Sequence, residues 1–124
     1  MDQELKIERT NDTPTILFNK SNGILSIVGR SMPEDAFNFY APIIDWLSEY
    51  SKSPADETNL SVKLEYFNTA SAKQVFKIIT LMSAAAKQKR VIVKWHYDEG
   101  DTDMKVSGER FSKLCGLPFE YLKN

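Results

Sequence analysis

The 124 residues include one cysteine, Cys115, and one histidine, His96. An internal disulfide is therefore impossible, and a structural zinc site of the usual Cys/His kind lacks its ligands. Neither sign of charge is in excess: sixteen Lys and Arg face seventeen Asp and Glu, for a net charge of -1. Such a balance provides no global field for gripping nucleic acid or an anionic membrane. Long hydrophobic runs are missing too, with no stretch nearing the ~18 apolar residues of a membrane span. The start, Met-Asp-Gln-Glu, is acidic and has no apolar leader segment. These absences predict a cytoplasmic chain with neither a nucleic-acid nor a membrane partner. The five glycines form neither GxxxxGK[ST] nor GxGxxG, which disfavours nucleotide hydrolysis.

What is present is ordinary globular material. Apolar residues make up 42% and charged residues 27%, enough to bury a core, and the length fits one domain over residues 1–124. Residues Leu5 to Arg9 alternate apolar and polar, Asn11-Asp12-Thr13-Pro14 supplies a turn, and Thr15 to Asn19 reads as the returning strand. After Ser21-Asn22-Gly23, Ile24 to Val28 reads as a third strand. Ser31 with Pro33 and Glu34 predicts a helix start with a capping hydroxyl, the helix running to about Tyr50 with a kink or a slight split at Pro42. Its apolar residues cover about half the cylinder, more than the ~100° stripe that seats a surface helix. Phe39 and Trp46, at one edge of that face, are candidates for a partner surface.

Downstream the periodicity changes element by element. Leu60, Val62, Leu64 and Tyr66 alternate with polar residues as in a half-buried strand, and from Ala72 the 3-4 spacing of Val75, Phe76, Ile79, Met82 and Ala86 predicts a helix. Val91 to Tyr97 reads as a strand. Asp101 is a candidate cap for a last helix through Leu114, which Gly116 and Pro118 stop before a short strand over Phe119 to Leu122. The order βββαβαβαβ predicts a single small α/β domain with a mixed sheet and crossover helices packed on it.

Chemistry-bearing clusters are sparse. A Cys115–His96 dyad has no accompanying activating motif, and the acidic turn Asp98, Glu99, Asp101, Asp103 lacks the spacing of a calcium loop, so a solvated helix cap is the favoured reading. No metal site or cofactor is predicted. Lys73, Lys77 and Lys87 share a helix face with no aromatic platform beside it, as expected of a solvated face. The turn Phe67-Asn68-Thr69-Ala70-Ser71-Ala72-Lys73 differs, because hydroxyls stand where a strand ends and a helix begins. Backbone N–H groups lack partners there and the helix dipole is positive, so an added phosphate would be stabilised. The competing reading is that Asn68, Thr69 or Ser71 simply caps the helix. On these residues alone three alternatives stand: a phosphorylation-controlled interaction protein, an adaptor domain whose Thr69 is only a cap, and a small enzyme using Cys115 or the Asp98–Asp103 turn.

The segment Leu64-Glu65-Tyr66-Phe67-Asn68-Thr69-Ala70-Ser71-Ala72-Lys73 resembles the signature of the SiaC family of regulatory phosphoproteins. Pro33, Phe39-Tyr40, Pro42-Ile43 and Trp46 to Tyr50 resemble that family's first helix. Trp95 to Glu99, Gly108-Glu109-Arg110-Phe111 and Leu117-Pro118-Phe119 resemble its C-terminal part. Ala70 stands where the family pattern has Ser, and His96 and the Gly100 turn also depart from it. The resemblance implies a fold similar to STAS domains and anti-sigma-factor antagonists, and a partner switch without catalysis. A dedicated kinase would phosphorylate Thr69 and a PP2C-like phosphatase would reverse it. The unphosphorylated form would bind and activate a diguanylate cyclase in biofilm signalling. Asn68 and Ser71 would support the turn, and Lys73, one helical turn on, would partly neutralise the phosphate.

Overall fold

The computed structural model describes residues 2–124. Its elements run β1 (Glu4–Ile7), β2 (Thr15–Asn19), β3 (Ile24–Ser31), α1 (Ala36–Lys52), β4 (Glu57–Phe67), α2 (Thr69–Ala85), β5 (Arg90–Tyr97), α3 (Thr102–Cys115) and β6 (Phe119–Lys123). The six strands lie in one sheet in sequence order, β1 to β3 antiparallel and β3 to β6 parallel. Each of the three parallel steps moves one strand in the same direction through a helix. With the right-handed crossover rule, that progression puts α1, α2 and α3 on one face of the sheet.

Alternation along the strands agrees with this arrangement. Thr58, Leu60, Val62 and Leu64 of β4 are buried beneath the helices, whereas Glu57, Lys63 and Glu65 are exposed. The core continues through Ile16 and Phe18 of β2, Leu25 and Ile27 of β3, and Val93 and Trp95 of β5. Three helices must cover six strands, which explains why α1 buries more than a narrow stripe: Tyr40, Ile43, Trp46, Leu47 and Tyr50 all enter the core.

The expected element order is the one observed, and α1 runs through Pro42 as one continuous helix. The predicted helix start is corrected. Ser31 is not a cap; it is the last residue of β3 and wholly buried, and the cap of α1 is Asp35, whose carboxylate accepts from Asn38 N–H at 3.1 Å. Ser31 reaches inward in the same alternation as Leu25, Ile27 and Gly29 of β3. Beside it the β3–β4 register shifts, Gly29 pairing with Leu64 but Arg30 with Tyr66, which leaves Glu65 as an extra residue of β4. Bulges of this kind bend a strand and re-aim its side chains. Gly29 itself sits at φ +134°, and a Cβ there would approach the Arg9 guanidinium to 2.7 Å.

Candidate functional site

The bulge delivers β4 into the turn that carries Thr69. Asn68 is the N-cap of α2, its side-chain oxygen accepting from Ser71 N–H at 2.8 Å while its carbonyl accepts from Ala72 N–H at 2.9 Å. The Asn68 amide in turn donates to the Ser31 carbonyl at 3.0 Å, fixing the turn to the end of β3. With Asn68 as the cap, the Thr69 hydroxyl is not consumed in capping. Thr69 and Ala70 are the first two helical residues and both are exposed, and their amides have no acceptor within the helix.

The two hydroxyls of this turn have opposite fates. Ser71 is fully buried and accepts a 2.8 Å hydrogen bond from Ser31, whose oxygen also lies 2.6 Å from the Tyr40 hydroxyl. This chain of three joins β3, α1 and α2 directly under the Thr69 turn. Tyr40 is fully buried within it, and desolvation pushes its phenol up to about 12 against the opposing effect of its hydrogen bond with Ser31. A folded-state value above the unfolded one of about 10 means the contribution is complete below pH ~10 and lost as pH climbs toward 12. The full loss is about 3 kcal/mol. We therefore expect Tyr40→Phe to flatten the fall in stability between about pH 9 and about pH 12, read from denaturant midpoints, while wild type falls steeply. Parallel curves for the two proteins would contradict this.

On its far side Thr69 opens onto a cleft of about 300 Å³ between α2 and α3, lined by Phe67, Asn68, Thr69, Ala72, Ser107, Arg110 and Phe111. The inner wall is aromatic, with Phe67 6.2 Å from Phe111 and 6.4 Å from Trp95 between ring centroids. Helix α3 is held close by Trp95, whose indole N–H donates to the Met104 carbonyl at 2.8 Å. Gly108 permits that approach: a Cβ there would fall 2.5 Å from the Trp95 ring. Ser107 and Arg110, on either side of Gly108, are thereby placed at the rim.

The remaining candidates are distributed as follows. Lys73 is exposed on α2, but it lines a separate groove with Glu34, Asp35, Phe37 and Ala70, not the cleft of Thr69. Trp46 is corrected as a surface candidate: it is 7% exposed, stacked on Tyr50 at 5.3 Å, and its indole donates to the Asp2 carbonyl. Phe39 is half-buried, edge-on to Tyr40 at 4.9 Å. The exposed aromatic of α1 is instead Phe37, at 65%, with Lys77 Nζ 5.6 Å from its ring centre.

Cys115 and His96 are not brought together. The sulfur of Cys115 lies 3.7 Å from Thr80 Oγ1 on the helical side, whereas His96 is next to inward-facing Trp95 and so points to the open face, with Nδ1 3.3 Å from Asn124 Oδ1. Partial burial lowers the His96 pKa, and Lys63 and Lys94 push the same way against the Asn124 hydrogen bond. The acidic turn is divided among structural contacts. Asp101 caps α3 through Met104 N–H, Asp98 accepts from Asn124, and Glu99 lies 3.8 Å from Lys123. Among the described residues, no three His, Cys, Asp or Glu side chains are grouped to hold a metal ion, and no helix is long and apolar enough to cross a membrane. Sequence reasoning missed Arg110 as a neighbour of Thr69; the only signal for it was the Gly-Glu-Arg-Phe block itself.

Fold and site define a small α/β domain with an exposed threonine hydroxyl at a helix start. The family model described as SiaC family regulatory phosphoprotein matches residues 7–124, and the chain belongs to that family. A protein of Pseudomonas aeruginosa (strain UCBPP-PA14) described as uncharacterized is 32% identical over 117 residues, covering 94% of this chain and 93% of its own. The structure of SiaC of Pseudomonas aeruginosa is similar at a TM-score of 0.85 and 30% identity, covering 98% of both chains. SiaC in the crystal structure of the diguanylate cyclase SiaD in complex with its activator SiaC, from the same organism, matches at a TM-score of 0.86 and 30% identity. That match covers 97% of this chain and 99% of the other.

Proposed function

We propose that this chain is a non-enzymatic partner switch whose unphosphorylated form binds and activates a diguanylate cyclase. In this reading a protein kinase phosphorylates Thr69 and a PP2C-like phosphatase restores it, with the whole chain acting as one cytoplasmic domain. The observation that carries it is the contrast between the hydroxyls: Thr69 is exposed and free of the cap, whereas Ser71 is sealed under it. A kinase must thread its acceptor into an active site, and of the two hydroxyls in this turn Thr69 alone offers that access. The cyclase reading is supported by the complex of the related SiaC with SiaD.

The partner surface in this proposal is the end of the molecule where α1 and α2 begin. Phe37 and Tyr66, 65% and 50% exposed, flank the Thr69 turn from α1 and β4. Exposed aromatic rings are the usual anchors of protein interfaces. The test is to titrate the unmodified chain into a purified diguanylate cyclase from the same host and follow cyclic di-GMP formation. A saturable rise in turnover is expected. Unchanged turnover, with no binding at micromolar concentration, would contradict the proposal.

A further inference from the structure

We infer that Arg110 is the side chain that receives the phosphoryl group on Thr69, so that phosphorylation bridges α2 to α3 across the cleft between them. The inference rests on the reading of Thr69 as the modified residue and adds what recognises the modification.

Three observations support it. Thr69 and Arg110 line the same cleft, together with the Ser107 hydroxyl, and the volume of about 300 Å³ has room for a phosphoryl group. Arg110 is exposed and, among the described residues, forms no ion pair, so its guanidinium is free to take a new partner. The two sides of the turn are also electrostatically unequal. Toward α1 the groove beside Ala70 carries Glu34 and Asp35 with Lys73, and Lys77 sits over its Phe37, whereas the cleft lining carries Arg110 and no acidic side chain. A dianion on Thr69 therefore meets mixed charge on the α1 side and a cation without an acidic neighbour in the cleft on the α3 side. Arginine suits this role better than lysine, because its planar fork meets two phosphate oxygens at once.

The consequence for regulation is that the phosphate acts on α3. The indole–Met104 hydrogen bond and the Gly108 contact hold that helix against Trp95, so Arg110 is supplied from a fixed scaffold. A partner that docks over the Thr69 turn would meet a phosphate already engaged with Arg110, and the cleft between the helices would be filled.

The test uses full-length chain carrying phosphothreonine installed at position 69 during synthesis, so it does not depend on any host kinase. Phosphorus NMR then follows the second ionisation of the phosphate, ordinarily near pH 6, in wild type, Arg110→Gln, Arg110→Lys and Lys73→Gln. Glu109 on α3 and Glu34 and Asp35 at the start of α1 remain in every variant and so act as a common background. A guanidinium in contact should lower that ionisation by roughly half a unit or more, and Arg110→Gln should abolish the shift. Arg110→Lys should keep part of it and Lys73→Gln nearly all. The unmodified variants should melt with wild type, which separates phosphate recognition from a structural role. An ionisation unmoved by Arg110→Gln, or moved more by Lys73→Gln, would overturn the inference. Failure to find Thr69 phosphorylated in the host would instead defeat the switch reading and leave this result standing.

Discussion

Phosphorylation of Thr69 is expected to weaken binding to the cyclase about 100-fold, whereas Thr69→Ala should bind within a few-fold of the unmodified chain. The hydroxyl of Thr69 is small, neutral and exposed, so a partner can cover it at little cost. Phosphorylation replaces it with roughly 1.5 to 2 negative charges, and a charge buried without a partner costs about 3–5 kcal/mol. Arg110 offsets part of that cost, and a net of about 2.7 kcal/mol corresponds to the 100-fold stated. Thr69→Glu carries one charge on a shorter reach and should lie between the two. Calorimetric titration of all four proteins against one cyclase checks the order. Equal binding by the phosphorylated chain and Thr69→Ala would end the switch account, because the phosphate would then be invisible to the partner.

The second large effect concerns the scaffold that positions the cleft. Trp95 is fully buried, contacts Phe67, Phe111 and Phe119, and holds α3 through Met104. Trp95→Ala removes the ring and the hydrogen bond together, and a loss of about 3–5 kcal/mol is expected. That is a large fraction of the stability of a domain this size. Gly108→Ala presses on the same contact from the other side. The added methyl would meet a ring that has no room to rotate away, so a loss of about 1–3 kcal/mol is expected as α3 is pushed outward. Chemical denaturation measures both. A Gly108→Ala protein as stable as wild type would show that α3 sits more loosely on Trp95 than described, and would weaken the argument that Arg110 is held in place.

Much of the fold was legible because the signals were local. The alternation of Leu60 to Leu64, the 3-4 spacing after Ala72, Asp101 before the last helix and Gly116 after it each report a neighbourhood of a few residues, whereas Tyr66, expected in the same phase, is exposed because the extra residue Glu65 reverses it. Gly116 adopts the left-handed conformation that ends α3, at φ 65°. What escaped depended on distant partners. Ser31 looked like a cap because Pro33 and Glu34 follow it, yet β3 continues through it in phase with Leu25 and Ile27 and points it into the core toward Tyr40 and Ser71. Trp46 lay at the edge of a wide helical face, and nothing in its spacing reveals that Phe18, Tyr50 and Asp2 close over it.

The site shows the same division. Thr69 and its capping neighbour Asn68 were readable as a strand-to-helix turn. Local spacing also suggested Lys73 as the neutralising cation, one turn along the helix, because sequence reasoning sees the i,i+4 neighbour first. The structure places Lys73 toward Glu34 and Asp35 and sets Arg110 on the cleft of Thr69. That juxtaposition arises from Gly108 and Trp95, two residues whose mutual fit no periodicity records.

The most direct test of the central claim is a phosphosite map of the chain purified from its host with phosphatases inhibited, by intact-mass and peptide mass spectrometry. Phosphate on Thr69, with Ser71 and the other hydroxyls unmodified, is the predicted result. Full peptide coverage of the Asn68–Lys73 turn showing unmodified Thr69 under every growth condition, or phosphate elsewhere in its place, would contradict it.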